Sequence, residues 1–214
     1  MNFGSPLTMG KMIAPFLGDI GRSLKAASDA PARLTVESID NHVYFYADVD
    51  SDRCLSMIRQ IREIDIRLRT EQISRDLEDQ PPTPIWLHVQ SGGGDLFAGI
   101  AAADELKAIK SPIYSVVEGL SASAATLISL AASKRFIRPN GFMLIHQLSA
   151  MHWGTHEQFE DEIDVQNKLM DRLVAYYADH TNMVPDAIRE MLKRDTWLTA
   201  EQCLAFGLVD RIRA

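Results

Sequence analysis

Cysteine is almost absent: Cys54 and Cys203 are the only two in 214 residues. Both fall in amphipathic helical patterns, so they read as small buried hydrophobes, which excludes a disulfide framework and points to a reducing compartment. Positive charge is also short, with 22 Lys and Arg against 29 Asp and Glu and a net charge of −7. Binding to a phosphate backbone needs clustered Lys and Arg that release counterions, so nucleic acid is not an expected partner. No long apolar run survives inspection. The stretch from Ile113 to Ala132 is broken by Glu118 and by several Ser and Gly residues, which reads as a buried strand and helix and not a membrane span. The opening Met1-Asn2-Phe3-Gly4-Ser5-Pro6 lacks a basic segment followed by a continuous apolar one, so no secretory signal is visible and a cytoplasmic setting is expected. Neither G-x-x-x-x-G-K-[ST] nor G-x-G-x-x-G occurs, and no internal repeat, low-complexity tract or linker is found.

What is present is an ordinary globular composition, 46% hydrophobic and 24% charged. A chain of this length can bury roughly 70% of its unfolded surface in one α/β domain. Residues 1–32 carry no sustained period beyond a possible short helix from Met9 to Leu24, and form an N-terminal arm; residues 33–214 form a single domain. Leu34-Thr35-Val36 and Val43-Tyr44-Phe45-Tyr46-Ala47, split by Asp40-Asn41, predict a hairpin. From Arg53 to Leu77 apolar residues recur at helical spacing at Leu55, Ile58, Ile61, Ile64, Leu68, Ile73 and Leu77, as one long helix or a broken pair. Pro81-Pro82-Thr83-Pro84 then introduces a buried strand, Ile85 to Val89, aimed at Gln90-Ser91-Gly92-Gly93-Gly94.

A helix from Asp95 to Ile109, a strand from Pro112 to Val117 and a helix from Ala122 to Ala132 repeat the βα unit. Such alternation predicts a parallel sheet with sites at the carboxyl ends of its strands. Short strands at Arg135 to Ile137 and Phe142 to Ile145 follow. Glu157 to His180 reads as a long helix, apolar on the side of Phe159, Ile163, Val165, Leu169, Leu173, Val174 and Tyr177 and acidic opposite.

Three features could cooperate chemically. Ser123 begins a helix, where it is a tight-packing residue, a cap or a nucleophile under the positive end of the helix dipole. His146 leaves a strand end, where it is a core histidine or a base. The glycine triplet could hold a phosphate or, better, an oxyanion. A serine hydroxyl needs an imidazole to take its proton, and the imidazole in turn needs a carboxylate to fix its tautomer. Asp95, Asp161 and Asp195 are all conceivable for that place. Among the other histidines, His88 reads as structural, His156 and His180 as caps or surface groups, His42 at the hairpin turn as the least informative, and His152 lacks context.

From about Ile85 to Ile212 the chain resembles the proteolytic subunit of the ATP-dependent Clp protease, a serine peptidase of crotonase-like fold. Its Asn-Ser-Pro-Gly-Gly element corresponds to Gln90-Ser91-Gly92-Gly93-Gly94. Its Gly-x-x-Ala-Ser motif corresponds to Gly119-Leu120-Ser121-Ala122-Ser123, and its Pro-Asn and Met-Ile-His-Gln to Pro139-Asn140 and Leu144-Ile145-His146-Gln147. Arg194-Asp195-Thr196-Trp197-Leu198-Thr199-Ala200-Glu201 and Phe206-Gly207-Leu208-Val209-Asp210 match its C-terminal elements.

The resemblance implies repeated βα units with a protruding long handle helix. It implies a triad of Ser123, His146 and Asp195, an oxyanion hole from the backbone N–H groups of Gly94 and Ala124, and an extended polypeptide substrate held along Gly93, Asp95, Leu148 and Ser149, with Ala150 ending that edge. No metal or organic cofactor is implied. Homo-oligomeric heptameric rings, stacked as a tetradecamer through the handle helix, and an AAA+ ATPase unfoldase are the implied partners. The chain departs from the family pattern at Gln90, Gly92 and Ala125, in a Ser123 to His146 segment about two residues short, and throughout residues 1–84. Two other readings share the fold: an inactive ring subunit acting as scaffold, and an acyl-CoA enzyme using the same backbone donors without a triad.

Overall fold

The computed structural model describes residues 36–77, 79–149 and 153–214. The expected arm at residues 1–32 with its helix, together with Leu34, Thr35, Ala150 and His152, lies outside them. Strands β1 (Val36–Ile39) and β2 (His42–Phe45) form the expected hairpin, pairing Ile39 with His42 across the two-residue turn. Asp40 there takes φ 54, which Asp tolerates better than most residues and which lets the turn follow the strand twist.

Helix α1 (Ser51–Ser74) is one element and not a broken pair. Asp50 caps it by accepting from Arg53 N at 2.8 Å, and Asp76 beyond its end takes φ 52, a left-handed stop. Cys54, Met57, Ile61 and Ile64 form its buried stripe, whereas Leu55 and Ile73, expected inward, stand out in solvent. The 3-4-3 spacing of the first four selects one face, and Leu55 and Ile73 fall off it.

Strand β3 (Ile85–Ser91), helix α2 (Leu96–Lys107), strand β4 (Ile113–Ala122) and helix α3 (Ala124–Leu130) deliver the repeated βα unit. β4 runs five residues past the expected Val117. Its first half pairs in parallel with β5 (Lys134–Ile137) and its second with β6 (Phe142–Ile145). Helix α4 (His156–His180), helix α5 (Pro185–Leu192), strand β7 (Thr196–Thr199), helix α6 (Ala200–Ala205) and strand β8 (Arg211–Ile212) complete the described chain.

The sheet is a mixed α/β arrangement in the order β1-β2-β3-β4-β5-β8. β2, β3, β4, β5 and β8 run parallel, β1 is antiparallel to β2, and β7 is added antiparallel on β6. One buried cluster lies beneath α1 around Phe45, Leu87 and Ile128; another joins Ile137, Met143, Ile145, Leu173, Ile188 and Leu198. Both cysteines are buried, as expected, and burial pushes their thiols up, Cys54 to about 11 and Cys203 to about 12.

α4 buries only Leu173, Val174 and Tyr177, while Phe159, Ile163 and Val165 are exposed. The expected apolar side is thus buried only near the C-terminal end, and the N-terminal half is mostly exposed. No helix among the described residues is long and apolar enough to cross a membrane.

His42 requires a correction. It hydrogen-bonds through Nδ1 to His88 Nε2 at 2.8 Å; His88 Nδ1 meets Glu118 Oε1 at 2.5 Å, and Arg138 Nε donates to Glu118 Oε2 at 2.8 Å. Glu118, which interrupts the apolar run in the sequence, sits in β4 because these partners satisfy it. Burial raises the Glu118 carboxyl, but hydrogen bonds from Arg138 and His88 outweigh this and hold it below its ordinary 4.5. Burial, then the proximity of His88 and Arg213, holds His42 below 6.5; burial also lowers His180.

A histidine whose folded pKa is lowered leaves the unfolded chain to take the proton first, so stability falls as pH drops below 6.5. Glu118 contributes in the same direction below 4.5. The urea midpoint is therefore expected to decline progressively between pH 7.5 and pH 5, and the decline to shrink in His42→Gln. A midpoint that holds or rises on acidification contradicts this assignment.

Candidate active site

Two strand ends build the site. β3 ends at Ser91 and passes through Gly92-Gly93-Gly94 into α2, whose cap Asp95 accepts from Ala98 N at 2.6 Å. β4 ends at Ala122 and turns through Ser123, at φ 52 and ψ −128, into α3. Ser123 is a helix-start residue by position only, because its side chain makes no capping bond. A non-glycine residue at positive φ is strained, and such strain gathers where a side chain must be presented.

The two turns meet through Gly93. A Cβ there would lie 2.6 Å from Ser123 Cβ and 2.7 Å from the Ala122 carbonyl, and the residue takes φ 93. Only glycine lets the loop approach the serine this closely. Val49 pins the loop from the other side, donating to Gly93 O at 2.8 Å and accepting from Asp95 N at 2.7 Å. That leaves the N–H of Gly94, between them, without an acceptor among the described residues; the N–H of Ala124 has none either. Gly92, where the family has proline, has open space around it, so that departure has no packing cost.

β6 brings the histidine. Ser123 N donates to Leu144 O at 2.9 Å, and the parallel ladder ends at Ala122 opposite Leu144. His146 leaves β6 at that edge. The antiparallel ladder of β6 and β7 ends with Ile145 opposite Thr196, and continuing it by one residue sets Asp195 across from His146. Of the three acids considered, Asp95 is occupied as a helix cap and Asp161 lies on the exposed half of α4.

Ser123, His146, Gly94, Asp95, Ala124, Leu148 and Ser149 all line one cavity of about 480 Å³. Leu127, Leu173 and Tyr177 give it an apolar wall. Gly93 stands behind the serine, and Asp195 does not line the cavity. No hydrogen bond joins Ser123 to His146 or His146 to Asp195 in the single chain. Val49, Phe97, which lines the cavity, and Thr126 have no signal in the sequence, and Tyr177 has one only as part of the apolar side of its helix. Each becomes relevant only through contacts between distant segments.

A hydroxyl, an imidazole and two unpaired backbone donors around one partly apolar cavity are the parts of a serine hydrolase acting by acyl transfer. Residues 38–214 match the Clp protease family model. ATP-dependent Clp protease proteolytic subunit 1 of Protochlamydia amoebophila is 32% identical over 179 residues, covering 81% of each chain. The proteolytic subunit of Leuconostoc citreum is 30% identical over 188 residues and 86% of each chain, and subunit 1 of Chlamydia pneumoniae is 36% identical over 141 residues, 64% of this chain and 73% of its own. The chain belongs to the Clp protease family, and with it to the ClpP-type serine peptidases.

Proposed function

We propose that this chain cleaves peptide bonds of unfolded proteins or peptides by a Ser123, His146 and Asp195 triad. The observation that supports this most is the convergence of Ser123, His146 and the unpaired N–H groups of Gly94 and Ala124 on a single cavity. His146 takes the proton of Ser123 Oγ as the oxygen attacks the peptide carbonyl; the two N–H groups hold the oxyanion; His146 then gives the proton to the leaving amine. Water hydrolyses the acyl-enzyme with the same roles reversed. Asp195 orients the imidazole and stabilises its charged form. The links within the triad are open in the single chain, as catalytic hydrogen bonds often are before substrate binds.

Substrate lies extended between the segment after Gly94 and the segment after His146, at Leu148 and Ser149, where main-chain hydrogen bonds give affinity with little sequence preference. The wall of Leu127, Leu173 and Tyr177 takes an apolar side chain. Homo-oligomeric rings, heptameric and paired as a tetradecamer, enclose the sites, and an AAA+ unfoldase feeds them in the cytoplasm. The relatives' names support ATP dependence and a protease of several subunits; the ring size, the stacking, the AAA+ class of the partner and the compartment rest on the resemblance alone.

Fluorophosphonate labelling of the purified protein, located by mass spectrometry, tests the central claim. Modification is expected at Ser123 and its loss in His146→Ala. A folded oligomer that stays unlabelled favours the scaffold reading.

A further inference from the structure

α4 and the nucleophile turn are joined by a short chain of hydrogen bonds that the peptidase reading does not use. Thr126 Oγ1 donates to the Ser123 carbonyl at 2.6 Å, and the Thr126 backbone N–H donates to the same oxygen at 3.0 Å. Thr126 Oγ1 also lies 2.6 Å from the Tyr177 hydroxyl. A carbonyl can only accept, so the single hydroxyl hydrogen of Thr126 is spent on Ser123, and the phenol of Tyr177 must donate to Thr126. The order is therefore Tyr177 O–H to Thr126 O–H to Ser123 C=O.

Both side chains are buried, Thr126 at 0% and Tyr177 at 3% exposure. Burial pushes the phenol up to about 12, with its bond to Thr126 moderating the rise, so it remains a donor across the working range of pH.

In a trans peptide the C=O and the N–H point in opposite directions. Holding the carbonyl of the Ser123–Ala124 peptide toward Thr126 therefore turns the N–H of Ala124 the other way. That N–H is one of the two donors without an acceptor, and Ala124 lines the cavity. Ser123 itself is strained at φ 52, so this peptide plane needs external support to keep its orientation.

We infer that Thr126 and Tyr177 are positioning residues that lock the Ser123–Ala124 peptide with its N–H available to the oxyanion, coupling α4 to the reaction centre. The inference rests on the peptidase reading for its consequence, but its geometry does not. The Tyr177 ring also walls the cavity, so a substrate side chain seated there presses on the residue whose hydroxyl secures the hole.

The test uses the full-length assembled protein and the variants Tyr177→Phe, Thr126→Val and Thr126→Ser. The readouts are the rate of Ser123 labelling by a fluorophosphonate, and kcat and KM on a short fluorogenic peptide. Outright removal of an oxyanion donor costs about 10²–10³ in kcat, so loosening one is expected to cost about tenfold in labelling rate and kcat in Tyr177→Phe and Thr126→Val. KM should stay unchanged, and Thr126→Ser, which keeps the hydroxyl, should retain wild-type rates. Folding is followed by the unfolding midpoint and assembly by native mass.

Wild-type rates in both folded variants overturn the inference, as does a loss of kcat that only follows a falling midpoint. If the wild-type Ser123 itself does not react, the peptidase reading fails, and a crystal structure of Thr126→Val decides the inference alone: a Ser123–Ala124 peptide in unchanged orientation refutes it, a rotated one supports it.

Discussion

Ser123→Ala is expected to abolish peptide cleavage, by about 10⁶-fold in kcat if it follows other serine peptidases that lose a triad member, while leaving the fold intact. The second half of that expectation comes from the surroundings of the residue. Ser123 caps nothing with its side chain, and its Cβ, which meets Gly93, is retained in alanine. The backbone bond from Ser123 N to Leu144 O and those from Thr126 to the Ser123 carbonyl involve no hydroxyl of Ser123. The unfolding midpoint and the oligomer mass should therefore match the wild type, which makes the variant a clean chemical deletion. Hydrolysis of a fluorogenic peptide is the measurement. Residual turnover within tenfold of wild type would remove Ser123 from the mechanism.

Asp195→Asn is the next largest expected effect, a fall in kcat of about 10⁴-fold at neutral pH. In the proposed triad the carboxylate would accept an imidazole N–H and so leave the other ring nitrogen free to take the serine proton. The amide can donate instead, which favours the wrong tautomer and withdraws the charge that stabilises the imidazolium. Asp195 precedes β7 outside any ladder bond and makes no hydrogen bond of its own in the single chain, so the substitution should leave the unfolding midpoint unchanged. Steady-state kinetics on the same peptide decide it: a fall smaller than tenfold transfers the orienting role to another acid.

Much of this arrangement was legible in the chain because it is local. Asp95 is marked as a helix start by its place before an apolar periodic run, and Asp40-Asn41 as a turn by its chemistry. The limits of β4 were not, since Glu118, Gly119 and Ser121 read as the end of an apolar run. The polar side chains of Glu118 and Ser121 are accommodated in the strand because His88, Arg138 and Ser129 reach them from elsewhere in the fold. The same holds within α1, where Leu55 and Ile73 fit the helical count but miss the face that meets the sheet. At the site, Ser123, His146 and the glycines follow from motif and strand order. Gly93's contact with Ser123 and the link from Tyr177 to Thr126, 51 residues apart, are tertiary facts without a local pattern.

The register between β6 and β7 also bears on how this protein can change over time. The β6–β7 ladder ends with Ile145 opposite Thr196, and the described residues between them include all of α4 and α5. A residue inserted inside either strand would shift the pairing by one position and turn side chains to the opposite face, separating His146 from Asp195. A residue inserted in α4 would leave that strand pairing untouched but would rotate one part of the helix against the other, moving Glu162, Val165, Gln166 and Leu169, which line the cavity with Ser123. Length can therefore vary without disturbing the cavity only in segments that neither pair with β6 nor line its wall, and the helix that carries the wall is held to its length as firmly as the strands are.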